Sequence, residues 1–225
     1  MARAQALIVF ARMPETVALA DVLADMLANT LLPNLAAPVR TRLQAMRSVA
    51  ARNRSLIGYW LLARGAALAG LSDVHLDALK SDTNGRPHLT NVPDFNISHS
   101  GQLIACAIAR DCQVGMDVEK IRAVDTARLR RFLGEERAGG ESNPEEFFAD
   151  WAAREATVKA SGKIGLARIA RVQLSGGLSR VDNETWQLHF PQLASDYAAC
   201  LATDVADVEL QIQDLSESLM KYSAA

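Results

Sequence analysis

Residues 151–162 read WAAREATVKASG, and this stretch constrains the fold more than any other. Written on a helix, Ala152, Ala153, Ala156 and Ala160 leave much of the surface without bulk, so the helix backbone can lie close against a sheet. Glu155 and Lys159 are four residues apart and share a helical face, with Trp151 one turn earlier on that side. Gly162 supplies the stop, and EEFFADWAAREATVKASG reads as one helix ending there. A surface Glu–Lys pair beside a core tryptophan accounts for the pattern by itself. A site is the better account only where acidic groups face this helix from a neighbouring sheet.

VGMDVE, residues 114–119, offers such groups. On a strand, Asp117 and Glu119 share one face while Met116 and Val118 take the other. Aligned carboxylates repel unless a cation lies between them, and hard oxygen ligands suit Mg²⁺. Gly115 lets another backbone approach closely. The residues leave two readings open, an exposed acidic strand face and a cation site completed by Glu155.

FNISHS, residues 95–100, raises a third question. A serine hydrolase of the nucleophile-elbow type needs a G-x-S-x-G turn, which is absent, and adjacent Ser98 and His99 do not build a triad. His75, His88 and His189 are too scattered for a zinc site. A turn rich in Ser, His and Gly suits an oxyanion, since hydroxyl and imidazole N–H groups donate to phosphate oxygens. A structural histidine remains the alternative.

The remaining chain frames these segments. QALIVFARM reads as a strand and ETVALADVLADMLANTLL as a helix. Residues 40–69 read as one long helix, basic in its first half. SDTNGRPHL is a loop by its Gly and Pro. Runs at 95–98, 103–109 and 113–119, broken at Ser100-Gly101 and Asp111, read as consecutive antiparallel strands. TARLRRFLGEERA is helical and basic, and RVQLSG, ETWQLHF, YAACLA and VELQIQ return to strand character. The 225 residues are 49% hydrophobic, enough for a substantial core in one large domain or two small ones. A net charge of −2 gives no reason to expect nucleic acid or an anionic membrane as partner. Cys106, Cys112 and Cys200, an odd set without C-x-x-C, read as buried free thiols of a reducing, cytoplasmic protein. The N-terminal apolar run, Ala6 to Phe10, is too short to span a membrane.

Taken in order, GRPHL (85–89), FNISHS (95–100), VGMDVE (114–119) and WAAREATVKASG (151–162) resemble the signatures of the 4′-phosphopantetheinyl transferase superfamily. RSLIGYWLLAR (54–64) extends the likeness upstream and YAACLA (197–202), more loosely, downstream. The length resembles the double-length, Sfp-like branch. That resemblance implies an α+β fold of two similar halves related by a pseudo-two-fold axis, 1–110 and 111–225, with the active site at their interface and a monomer in solution.

It also implies a reaction. Coenzyme A supplies its 4′-phosphopantetheine arm to a serine of an acidic acyl or peptidyl carrier protein, and 3′,5′-ADP leaves. The rival within the same resemblance is a catalytically weak, CoA-binding regulatory relative. Residue by residue, Asp117, Glu119 and Glu155 match the ligands of Mg²⁺ or Mn²⁺. Glu155, Lys159 and Asp117 match the catalytic positions, Glu155 as general base and Lys159 on phosphate. Arg54, Gly85, Arg86, Pro87, Ser98, His99 and Lys159 match the CoA-binding positions, the GRP turn at the adenine end. Arg86 and Arg154 stand where lysine is usual. Trp151 is expected to pack. Lys120, Arg122, Arg128, Arg130 and Arg131 read either as helping to dock the carrier or as a solvated helix face.

Overall fold

The computed structural model describes residues 3–14, 17–71, 74–89, 93–126, 130–131, 133, 143–163 and 165–222. In chain order the elements are β1 (Ala4–Arg12), α1 (Val17–Thr30), α2 (Ala37–Gln44), α3 (Val49–Leu68), β2 (Lys80–Ser81), β3 (Pro87–His88), β4 (Asp94–Ser100), β5 (Leu103–Arg110), β6 (Val114–Lys120), α4 (Pro144–Ala160), α5 (Leu166–Ile169), β7 (Gln173–Ser175), β8 (Leu178–Val181), β9 (Glu184–His189), β10 (Tyr197–Thr203), β11 (Val208–Asp214) and α6 (Ser216–Tyr222). The chain is an α+β protein, as expected.

Two sheets organise it, ordered β11-β1-β5-β4 and β6-β10-β9-β8-β7. β1 pairs antiparallel with β5 and parallel with β11, so a strand from the end of the chain closes the sheet begun by its first. Period-two alternation sorts the side chains into layers. Val9, Ala11, Ile104, Cys106 and Ile108 face α1, α2, α3 and α6 in one core. Ile8, Phe10, Ala105 and Ala107 face the opposite way, against Met116 and Val118 of β6 and Ala199 and Leu201 of β10. The outer face of the second sheet, through Cys200 and Ala202, carries the alanines of α4. The order is therefore helix, sheet, sheet, helix.

Both helix–sheet contacts depend on missing side chains. On α3, a Cβ at Gly58 would lie 2.7 Å from Ile97 Cγ2, and one at Gly65 would lie 2.8 Å from Ile108 Cδ1. Under α4 the glycine is in the strand. A Cβ at Gly115 would lie 2.0 Å from the Ala156 carbonyl oxygen and 2.3 Å from the Ala160 nitrogen. The slim helix thus lies backbone to backbone on β6, as its alanines predict.

β6 is where the expectation of consecutive antiparallel strands fails. β4 and β5 form that hairpin, but β6 pairs with β10 in the other sheet. It still runs beside β4, joined by side chains in place of a backbone ladder. Asp94 Oδ2, Asn96 Oδ1, Ser98 Oγ and Ser100 Oγ accept the backbone N–H groups of Val114, Met116, Val118 and Lys120 at 2.9, 2.9, 3.3 and 3.1 Å. Every second residue of β4 serves one face, so the edges of the two sheets are stitched in fixed register.

Other departures are local. The helix expected over 40–69 is broken between Gln44 and Val49. Ser48 is extended there, and its hydroxyl accepts the Ala51 N–H at 3.2 Å to start α3, an N-cap without a Gly or Pro to announce it. The loop 81–89 contains the β2–β3 pair, turned by Asp82, whose Oδ1 accepts the N–H groups of Asn84 and Arg86. β8 was not expected. Positive φ at Gly176, Gly177, Asp182 and Asn183 closes a two-residue turn on each side of it. Helix α4 ends at Gly162, with φ of 69°, as its sequence predicts. The helix expected over TARLRRFLGEERA lies mostly outside the described residues.

Candidate active site

Asp117 projects from β6 toward α4 and is buried. Its Oδ1 accepts from Lys159 Nζ at 2.6 Å and from Ser98 Oγ at 2.8 Å. Lys159 Nζ also donates to Ser98 Oγ at 3.1 Å. Three elements, β4, β6 and α4, therefore meet in one closed triangle of charge-assisted hydrogen bonds. Asp117 Oδ2 is buried without a hydrogen-bond partner among the described residues. A buried carboxylate oxygen left so is costly, and it marks a place where a cation or donor fits.

The other carboxylates stand around this triangle. Glu119, on the same strand face as Asp117, accepts from Ser100 Oγ at 2.8 Å and lies 3.7 Å from Arg122. Glu155 lies 3.7 Å from Lys159 Nζ and accepts the Trp151 indole N–H at 3.0 Å. Desolvation, and then the charge of Asp117, raises both Glu119 and Glu155 above the usual carboxylate range. Desolvation works against the Lys159 ammonium, but Asp117 and Glu155 outweigh it and the net shift is upward. Lys159 is accordingly a fixed cation.

Ser98 and His99 leave opposite faces of β4, so FNISHS divides. Ser98 is buried in the triangle and His99 is exposed. Desolvation, and then the positive charge of Arg54, lowers the His99 pKa, which keeps the ring neutral near pH 7. Arg54 lies on α3, half-buried, with its Nε unpartnered among the described residues. Gly85 is exposed in the turn before β3, with φ of 84°. Pro87 opens β3. Arg86 turns inward, beside a cavity of about 430 Å³ lined also by Asp82, His88, Asp94, Gln113 and Gly162.

One expectation is extended and another needs correction. Trp151 packs against Phe147, at 6.1 Å between ring centroids, but it also holds Glu155. Its i, i+4 spacing to Glu155 was the signal for that bond. Arg130 is not available for docking: it is buried, its guanidinium lies over Phe147 and it pairs with Asp150. Arg131 is exposed, and Arg128 lies outside the described residues. Arg154 faces away from the triangle and donates to the carbonyls of Ile169 and Val172. Of the thiols, Cys106 and Cys200 are buried and Cys112 is half-exposed.

The carboxylates of Asp117, Glu119 and Glu155 supply hard oxygen donors, and the Asp117 oxygen without a partner among the described residues has the donor chemistry that a divalent ion needs. Among the described residues, no group of three His, Cys, Asp or Glu side chains is drawn together closely enough to hold a metal ion. No described helix is long and apolar enough to cross a membrane.

In sequence, part of the chain is similar to a known class, the 4′-phosphopantetheinyl transferases. The particular relatives are bacterial. The chain is 36% identical over 92 residues to 4′-phosphopantetheinyl transferase psf-1 of Bacillus pumilus, covering 37% of this chain and 39% of the relative. It is 29% identical over 119 residues to a 4′-phosphopantetheinyl transferase of Bacillus subtilis, covering 49% and 53%. It is 31% identical over 88 residues to 4′-phosphopantetheinyl transferase Sfp of Bacillus subtilis strain 168, covering 35% and 38%. The matches thus span about half or less of these relatives' length. No protein-family model matches the chain. The resemblance read from the four segments, to the Sfp-like transferases, is borne out by these relatives.

Proposed function

We propose that this chain transfers the 4′-phosphopantetheine arm of coenzyme A to a serine of an acyl or peptidyl carrier protein, releasing 3′,5′-ADP. The observation that carries the reading is the Ser98–Asp117–Lys159 triangle, with an Asp117 oxygen that has no partner among the described residues. The halves 1–110 and 111–225 are taken to meet at this site, and the chain to act as a monomer.

Asp117, Glu119 and Glu155 would hold Mg²⁺ or Mn²⁺. Such an ion, when bound, draws charge from a phosphoanhydride. Arg54, Gly85 and Pro87 of the GRP turn, Ser98 and His99 would hold the CoA, with His99 neutral and donating from a ring N–H, whereas the Arg86 guanidinium is taken up by acceptors of the protein itself. Lys159 would meet phosphate oxygens with a charge fixed by Asp117 and so favour the state in which negative charge accumulates. Glu155, its pKa raised and its carboxylate oriented by Trp151, suits a general base toward the carrier hydroxyl. No observation favours the catalytically weak CoA-binding relative over this reading.

The test is to incubate the pure chain with CoA, Mg²⁺ and a panel of apo carrier proteins, then weigh the carriers intact. One added arm on the carrier serine, lost with EDTA or in Asp117→Ala, is the expected result. Transfer retained by Asp117→Ala would remove the metal assignment. Absence of both transfer and CoA binding would remove the function itself.

A further inference from the structure

Among the described residues, Arg86 makes more side-chain hydrogen bonds across the molecule than any residue of the triangle. Its Nη1 donates to the carbonyls of Lys159 and Ala160, the last residues of α4. Its Nη2 donates to Asp94 Oδ2 at 2.6 Å and to the Val114 carbonyl at 2.7 Å, with the Phe95 carbonyl at 3.5 Å. Asp94 Oδ2 also accepts the Val114 N–H at 2.9 Å, which closes a ring of Arg86, Asp94 and Val114 at the first rung between β4 and β6. Both terminal nitrogens of the guanidinium are thus engaged by the protein, and the side chain is only 13% exposed.

We propose that Arg86 is a positioning residue, clasping the C-terminal turn of α4 onto the β4–β6 seam and thereby setting where Lys159 meets Asp117. The carbonyls at a helix C-terminus carry partial negative charge, which a guanidinium offsets; here it adds to the Gly162 N–H that the Lys159 carbonyl also accepts at 3.1 Å. One of the two it takes is the carbonyl of Lys159 itself. The same fork holds β4 through Asp94 and β6 through Val114, the strands that carry Ser98 and Asp117. Each corner of the triangle is therefore tied to one planar group. An ammonium, a compact point charge without a fork, cannot reach this set of acceptors in the same way.

For its kinetic arm this inference rests on the proposed function; its structural arm does not. The variant is Arg86→Lys in the full chain, with Arg86→Gln beside it because either alone can fail to fold. Hydrogen exchange is read at residues 157–162 and, as an internal control, along α3. Steady-state transfer is read with CoA varied. The clasp predicts exchange at 157–162 faster by about tenfold or more with α3 unchanged. It predicts kcat lower by about tenfold or more with KM for CoA within about twofold, as misplaced catalytic groups give. Unchanged exchange in a folded variant overturns the clasp. A raised KM for CoA with kcat intact overturns it too, since Arg86 would then be a nucleotide contact. Should the wild-type chain transfer nothing, the proposed function falls and exchange alone decides the clasp, so the two failures are told apart.

Discussion

Trp151 Nε1 donates to Glu155 Oε1 at 3.0 Å, one helical turn away on α4. The bond fixes a carboxylate that desolvation and Asp117 push toward protonation. It also leaves Glu155 Oε2 on the side of Lys159. Trp151→Phe keeps an aromatic ring against Phe147 and removes the donor together with part of the indole's bulk. Transfer should fall about tenfold while the thermal midpoint changes little, since a partly exposed hydrogen bond contributes about 1 kcal/mol. Rates on a carrier panel and a melting curve check it together; an unchanged rate would return Trp151 to packing alone.

Gly115→Ala tests the close approach of α4. The new methyl would meet backbone at 2.0 and 2.3 Å, and backbone cannot step aside as a flexible side chain can. Either helix or strand must shift, at a cost of about 1–3 kcal/mol or more. Urea unfolding should show a lowered midpoint, and transfer should drop because Glu155 and Lys159 travel with the helix.

Asn96→Ala tests the seam. Asn96 is buried and its Oδ1 accepts the Met116 N–H at 2.9 Å. Losing that acceptor strands a buried N–H, a cost of about 1–3 kcal/mol. Asn96→Asp, which restores an acceptor oxygen at the same place, should recover part of the loss in equilibrium unfolding. Equal stability of wild type and Asn96→Ala would show that this rung contributes nothing.

Cys112 gives a pH-dependent prediction. Desolvation, then the charges of Asp204, Asp94 and Asp111, raises its pKa to about 11. The thiolate is the reactive form, so alkylation should be slow at pH 8 and climb until about pH 11, well above an ordinary thiol. Burial raises Cys106 and Cys200 as well, so neither should label in the folded chain. Mass spectrometry of iodoacetamide-treated protein at several pH values reads all three. Early labelling of Cys106 or Cys200 would contradict their burial.

Much of the site was legible because its signals are periodic and local. The period of two placed Asp117 and Glu119 on one face of β6, and the alanine pattern with Gly115 announced the close helix. The alternation that puts His99 opposite Ser98 was equally readable in FNISHS. The partner of β6 was not, since no residue between Arg110 and Val114 says which edge a strand will join. The break before α3 was hidden because AMRS contains neither Gly nor Pro, only a serine that caps. The bonds of Arg86 were beyond reach for another reason: apart from the Asp94 carboxylate its acceptors are backbone carbonyls, of Lys159, Ala160, Val114 and Phe95, and every residue has a carbonyl.

The seam between β4 and β6 is lopsided, and that has a consequence for how the gene can vary. β4 gives side chains and β6 gives amides. Any residue except proline has an amide. Positions 94, 96, 98 and 100 are therefore confined to short side chains with an acceptor oxygen, while the seam itself places no such demand on 114, 116, 118 and 120. So far as the seam is concerned, substitution is restricted on the β4 side and not on the β6 side, whose Val114, Met116 and Val118 answer instead to the core. Insertion or deletion of a single residue is tolerated on neither, because it would turn the acceptors of β4, or the carboxylates of β6, to the wrong face.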